Sequence, residues 1–177
     1  MIKRGKQPLA LVTGAARGMG AAIAVRLLDD GMRILALDRD EEGLAALAAQ
    51  HDAIVPCAFD LADLDRTPAF LADLVDTHGP PTKAALNAGV WPGRSIIEMS
   101  DQVWNLNFAV NVTSPFAFMR ALAPEMARAG GGAIVCTASR NAYRSSVGNA
   151  AYDASKAALL GLVRTAAGEF ARDNIRV

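Results

Sequence analysis

The chain has 177 residues, 52% hydrophobic and 20% charged, which suits one globular domain with a real core and excludes a disordered chain. Its 18 basic and 18 acidic residues cancel, so no basic field exists to hold nucleic acid. No apolar run approaches the roughly 18 residues of a membrane span, and the basic segment 1–6 leads into no signal-peptide pattern, so a cytoplasmic protein without membrane contact is expected.

Residues 9–13 form a short apolar run that reads as a strand. Gly14-Ala15-Ala16-Arg17-Gly18-Met19-Gly20 follows, and Met19, Ile23 and Leu27 then recur at helical spacing. Strand, glycine-rich turn and helix in that order are the context of a dinucleotide site. Gly14 lets the chain turn tightly off the strand, Gly18 lets backbone approach a pyrophosphate, and Gly20 lets the helix pack closely. The exposed amides and the positive end of the helix then face phosphate, with Arg17 and Met19 in the same turn.

A second strand over 33–37 ends at Asp38, about 20 residues beyond the glycines, where an acid accepts hydrogen bonds from ribose hydroxyls. A carboxylate there also repels a 2′-phosphate, so NAD is expected over NADP. Arg17 and Arg39 are the residues that could pair with such a phosphate. Asp40 is the N-cap candidate for a helix over 41–50. Strand-like runs continue at 54–59, 83–87 and 132–138, and helical patterns at 62–78, 100–129 and 150–173. This alternation predicts an α/β domain, a doubly wound parallel sheet of the Rossmann type with helices on both faces. Residues 174–177 read as the beginning of a sixth strand. Cys57 and Cys136 lie in strand-like runs and are expected as buried small hydrophobes. His51 and His78 have no partner His or Cys, so no metal site is expected.

Tyr152 and Lys156 are four residues apart, one helical turn, so both project from one face. A cation beside a phenol favours the phenolate and suits the hydroxyl to acid–base work. Ser139 precedes Tyr152 by thirteen residues. With these residues, the glycine turn and Asp38 assembled, the chain resembles the short-chain dehydrogenase/reductase family, in its shorter single-domain branch, from about residue 9 to 177. Asp60-Leu61 matches the family position that contacts adenine. Asn87-Ala88-Gly89 matches the Asn-Ala-Gly element that steadies the central sheet, with Leu86 where a second Asn is usual. Asn111, Ser139, Tyr152 and Lys156 match the family's active-site residues.

The resemblance implies hydride transfer between a nicotinamide cofactor and a secondary alcohol or ketone. Tyr152 would act as base or acid, and Lys156 would support Tyr152 and hold the nicotinamide ribose. Ser139 would orient the substrate oxygen, and Asn111 would hold a water leading to Lys156. It also implies a homodimer or homotetramer built through the helices over 100–129 and 150–173. Apolar stripes on those helices agree: Phe108, Val112, Phe116, Met119, Ala123 and Met126 on one, and Ala157, Leu160, Val163, Ala167 and Phe170 on the other. Trp91, Pro92, Arg94, Arg140, Asn141, Tyr143 and Arg144 are expected at the pocket mouth, and their polarity points to a hydroxylated substrate. The family's substrate lid and last strand, which follow the sixth strand, are expected to be missing from this chain. That favours, as the alternative, a dinucleotide-binding or interaction protein without turnover. A nucleotide-sugar epimerase of the two-domain branch is opposed by the glycine spacing.

Overall fold

A computed structural model describes residues 7–177; the basic segment 1–6 lies outside the described residues. The strands are β1 (Leu9–Thr13), β2 (Arg33–Asp38), β3 (Ile54–Ala58), β4 (Lys83–Leu86), β5 (Gly132–Cys136) and β6 (Ile175–Arg176). The helices are α1 (Gly18–Asp29), α2 (Glu41–Ala48), α3 (Thr67–His78), α4 (Asp101–Phe108), α5 (Ser114–Arg128) and α6 (Ala150–Phe170). The strands pair in parallel in the order β3-β2-β1-β4-β5-β6. The winding direction therefore reverses between β1 and β4, and a crevice opens beyond their carboxyl ends, where open α/β sheets bind ligands.

The apolar runs follow from burial on both faces of the sheet. Side chains alternate along β1 and β2. Leu9, Leu11, Leu35 and Leu37 face a core completed by Leu71 and Leu74 of α3 and Phe118 and Leu122 of α5. Ala10, Val12, Ile34 and Ala36 face the opposite core, with Ala24 of α1 and Leu44 and Leu47 of α2. Asp40 caps α2 as expected, its carboxylate accepting from the Gly43 amide at 3.0 Å.

Several boundaries move. The helix expected from 62 begins at Thr67, because Asp60 and Asp63 hold the preceding turns by accepting from the amides of Ala62 and Arg66. β4 and β5 stop at Leu86 and Cys136, which leaves Asn87 and Ser139 beyond the strand ends. The single helix expected over 100–129 is three pieces: α4, a π-helical turn over Ala109–Thr113, and α5. Pro115 lies at the break, whereas Pro124 sits inside α5 without one. Pro115 has no N–H to give the carbonyl of Asn111, four residues earlier, where the helix widens. The first apolar stripe does not form one outward face. Met119, Ala123 and Met126 pack into the protein's own core, while Phe116 is 42% exposed. A groove of about 740 Å³ between α5 and α6 is lined by residues that include Phe116, Leu162 and Phe170.

Asn174 takes a left-handed turn (φ 57°) that brings Ile175 alongside Gly132 and starts β6. Cys57 and Cys136 are half-buried free thiols, and burial pushes both up to about 11. Among the described residues, no helix is long and apolar enough to cross a membrane.

Candidate active site at the carboxyl ends of the strands

Three adjacent strand ends are tied together by side chains. The Thr13 hydroxyl oxygen accepts from the backbone amides of Asn87 at 3.0 Å and Ala88 at 3.1 Å. The Asn87 amide donates to the Thr13 carbonyl at 3.3 Å and accepts from the Thr137 hydroxyl at 3.1 Å. The ends of β1, β4 and β5 thus form one hydrogen-bonded floor. Leu86, at the position where the family carries a second Asn, is buried in the core and adds nothing polar.

The glycine turn rises from this floor. A Cβ on Gly20 would collide with the Gly14 carbonyl oxygen and would crowd the Asn87 amide at the end of β4, so glycine lets the start of α1 lie against its own turn and the strand ends. Gly18 has φ +59° and open space where a Cβ would stand, so backbone alone lines the approach to it. The N-terminus of α1 receives no cap from the Arg17 side chain, in contrast with α2 and α4, capped by Asp40 and Ser100. Amides without intrahelical partners at the positive helix end make a seat for an anion.

A cleft of about 620 Å³ opens over this turn. Gly14, Arg17, Gly18, Met19, Asp38, Arg39, Asp60, Leu61, Asn87, Ala88 and Gly89 line it; Gly20 lies outside the lining. Phe59, Val90 and Val110 also line it, and nothing in their spacing singled them out. The Asp38 carboxylate is held by the amides of Ala16 at 3.1 Å and Asp40 at 3.2 Å, which fixes it beside the glycine turn. Asp60 is exposed, with one carboxylate oxygen on the Ala62 amide. Trp91 and Pro92 join the lining, and Trp91 is 72% exposed. The remaining residues expected at the pocket mouth lie on two loops that meet where Arg94 bridges Asn149.

Lys156 connects the cleft floor to α6. It is buried, and its ammonium donates to the Thr137 carbonyl at 2.7 Å. Its Nζ lies 5.8 Å from the centre of the Tyr152 ring, so the two share a helix face as their spacing requires. Burial pushes the Lys156 ammonium below the ordinary lysine value; Cys136 acts weakly the other way. Since the Cys136 thiol is itself pushed up to about 11, it is uncharged at neutral pH and burial decides the direction. A Cβ on Gly89 would stand 3.4 Å from Lys156 Nζ and 3.2 Å from Asn111 Oδ1, so glycine is what lets the cleft wall reach these side chains.

Asn111 is fully buried, not on a solvated helix face. Its amide donates to the Val90 carbonyl at 2.9 Å and to Ser155 Oγ at 3.0 Å, and its Oδ1 accepts from the Val90 amide at 2.9 Å. Both side-chain donors are therefore engaged in joining the π turn to the Gly89 loop and α6. Ser155 in turn donates to the Tyr152 carbonyl at 2.7 Å. Ser139 is half-buried at the start of a short 3-10 turn, Arg140–Ala142, and its hydroxyl oxygen accepts from the Asn141 amide at 3.1 Å. Thr137 and Ser155 were not singled out from the sequence; a lone Thr or Ser carries no spacing signal.

A family model described as short chain dehydrogenase matches residues 8–177. The chain belongs to the short-chain dehydrogenase family, whose members are oxidoreductases of nucleotide-binding Rossmann type. It is 36% identical over 181 residues to dehydrogenase/reductase SDR family member 4 of Caenorhabditis elegans, covering 99% of this chain and 70% of that protein. It is 37% identical over 173 residues to D-threitol dehydrogenase of Mycolicibacterium smegmatis, covering 96% of this chain and 66% of that protein. Among solved structures it is similar to a metagenomic short-chain oxidoreductase in complex with NADP. There the TM-score is 0.91 at 36% identity, covering 96% of this chain and 78% of that one. The chain spans about two thirds of the length of the curated relatives it matches.

The strand-end clamp is directly testable. Thr13→Val keeps the side-chain shape but leaves the Asn87 and Ala88 amides without their acceptor. The expected loss is about 1–3 kcal/mol of stability in urea unfolding, the usual cost of a buried unpaired donor. An unchanged midpoint would show that the clamp is dispensable.

Proposed function

We propose that this chain transfers hydride between NAD(H) and a secondary alcohol or ketone, with Tyr152 as the acid–base group. The observation that carries the reading is the seat of Lys156. Its buried ammonium is anchored on Thr137 at the cleft floor, abuts Gly89 of the cleft wall, and shares a helix face with Tyr152.

The residues fit a nicotinamide dinucleotide. The uncapped start of α1 and the open approach over Gly18 suit a pyrophosphate. The fixed Asp38 carboxylate suits a ribose diol, and the cleft continues from there to Gly89 beside Lys156. Bound there, the cofactor supplies the hydride acceptor or donor. The residues do the rest. Tyr152 takes the hydroxyl proton in oxidation and returns it in reduction, with Lys156 as the neighbouring cation and the ribose contact. Ser139 orients the substrate oxygen. Asn111 has both amide donors engaged, so its role toward a water falls to its main-chain carbonyl, which Pro115 denies an α-helical donor. The polar mouth residues Arg94, Arg140, Asn141 and Arg144 favour a hydroxylated substrate. The similarity to a protein named D-threitol dehydrogenase points the same way.

NAD is proposed over NADP because Asp38 is held where a 2′-phosphate would meet a carboxylate, although a similar solved structure contains NADP. The exposed Phe116 and the groove between α5 and α6 support self-association through that face, a homodimer or homotetramer.

Three outcomes are expected. Tyr152→Phe removes only a hydroxyl, so turnover on an alcohol the parent oxidises should fall by about 10² to 10⁴, while cofactor titration stays close to the parent's. Retained turnover would refute the role. In titrations of both cofactors the parent should bind NAD more tightly, and Asp38→Ala should narrow the gap; tighter NADP binding by the parent would transfer the preference to Arg17 and Arg39. Sedimentation at micromolar concentration should show an oligomer, and a monomer for the full natural protein would defeat the assembly reading.

A further inference from the structure

The loop between β5 and α6 is tied to α6 by a polar cluster centred on Asp153, a residue that none of these roles uses. Asp153 follows Tyr152 directly, yet its side chain turns away from solvent and is only 8% exposed. A buried carboxylate is tolerated only with donors on its oxygens. Here the Asn141 amide donates to Oδ1 at 2.6 Å and the Ser146 backbone amide donates to Oδ2 at 2.6 Å. Asn141 also donates to Ser146 Oγ at 2.9 Å, closing the cluster. Its own backbone amide donates to Ser139 Oγ at 3.1 Å. Asp153 is itself fixed in the first turn of α6, its amide donating to the Asn149 carbonyl at 2.8 Å. One carboxylate on the helix of Tyr152 therefore grips both ends of loop 140–147 and, through Asn141, reaches Ser139.

The chemistry of the bonds gives this a direction. A serine oxygen that accepts from a backbone amide has that lone pair occupied, while its hydroxyl hydrogen stays free to donate. We propose that Asp153 is a positioning residue for Ser139: acting through Asn141, it locks loop 140–147 to α6 so that the Ser139 hydroxyl donates to the substrate oxygen at a fixed distance from Tyr152. This rests on the dehydrogenase reading, in which Ser139 orients that oxygen. Both carboxylate oxygens accept from N–H groups, so asparagine cannot replace aspartate: its own NH2 must then oppose one of the two donors.

The test is a cycle between Asp153→Asn and Ser139→Ala. Asp153→Asn should lower kcat by about 10- to 100-fold, the usual consequence of a misplaced reacting group, while the affinity for NAD holds. In the Ser139→Ala background the same substitution should cost nothing further, because the group it positions is gone. An equal loss in both backgrounds would overturn the proposal, since it would mean that Asp153 acts on Tyr152 or on the helix as a whole. Asn141→Ala gives a second route should Asp153→Asn fold poorly; it should reproduce the kcat loss and the same non-additivity with Ser139→Ala. Hydrogen exchange over residues 139–149 judges the coupling without turnover. Either substitution should speed exchange there and leave the rest of α6 protected, and unchanged exchange would sink the idea. A parent without turnover on any alcohol would remove the dehydrogenase reading, leaving the exchange result to decide the coupling alone.

Discussion

The hydrogen bonds that join the ends of β1, β4 and β5 are the constraint on which the site depends. Parallel strands leave backbone donors and acceptors unpaired where they end, and here the winding direction reverses between the neighbouring strands β1 and β4. Thr13, Asn87 and Thr137 satisfy those groups across all three strands. Lys156 then docks on the Thr137 carbonyl, so the same floor that supports the glycine turn also fixes the base of α6. The cleft over the glycine turn and the helix of Tyr152 are referenced to one hydrogen-bonded object.

Near that floor two hydrogen-bonded sets are each built on a buried side chain, Asn111 in one and Asp153 in the other. Asn111, Ser155 and the Val90 backbone form one, and Asp153, Asn141 and Ser146 another. Each lies under a loop that borders the cleft, and each ties a loop to α6. Buried polar groups that are fully partnered rigidify their surroundings, whereas half-partnered ones would destabilise them. The ammonium of Lys156 is the charge carried furthest into the protein at this site, and burial works against it. Its hydrogen bond to the Thr137 carbonyl compensates in part.

The helix break at Ala109–Thr113 is a local feature with a distant consequence. Pro115 leaves the Asn111 carbonyl without an α-helical donor, the helix widens there, and Asn111 is turned inward to hold the Gly89 loop. Beyond the break, within α5, Met119, Ala123 and Met126 serve the core while Phe116 faces outward.

Much of this protein was determined by sequence alone. Short-range rules fix which residues become strands and helices, because apolar period and glycine position act within a few residues. Hence β1, the glycine turn, α1 and Asp38 at the end of β2 were legible, as was the Tyr152–Lys156 face. The exact order of motifs marked the family, and with it the doubly wound sheet. Only the tertiary structure decided where Asn111 points, that Lys156 docks on Thr137, and that Asp153 grips the Ser139 loop. Those contacts join residues 7 to 44 positions apart, and no local pattern encodes which partner a lone Thr, Asn or Asp will find. The division of the long helix stood between the two cases. Pro115 was visible, but a proline in a helix can kink, widen or end it, and the choice was made by the packing of Asn111 against Val90 and Ser155.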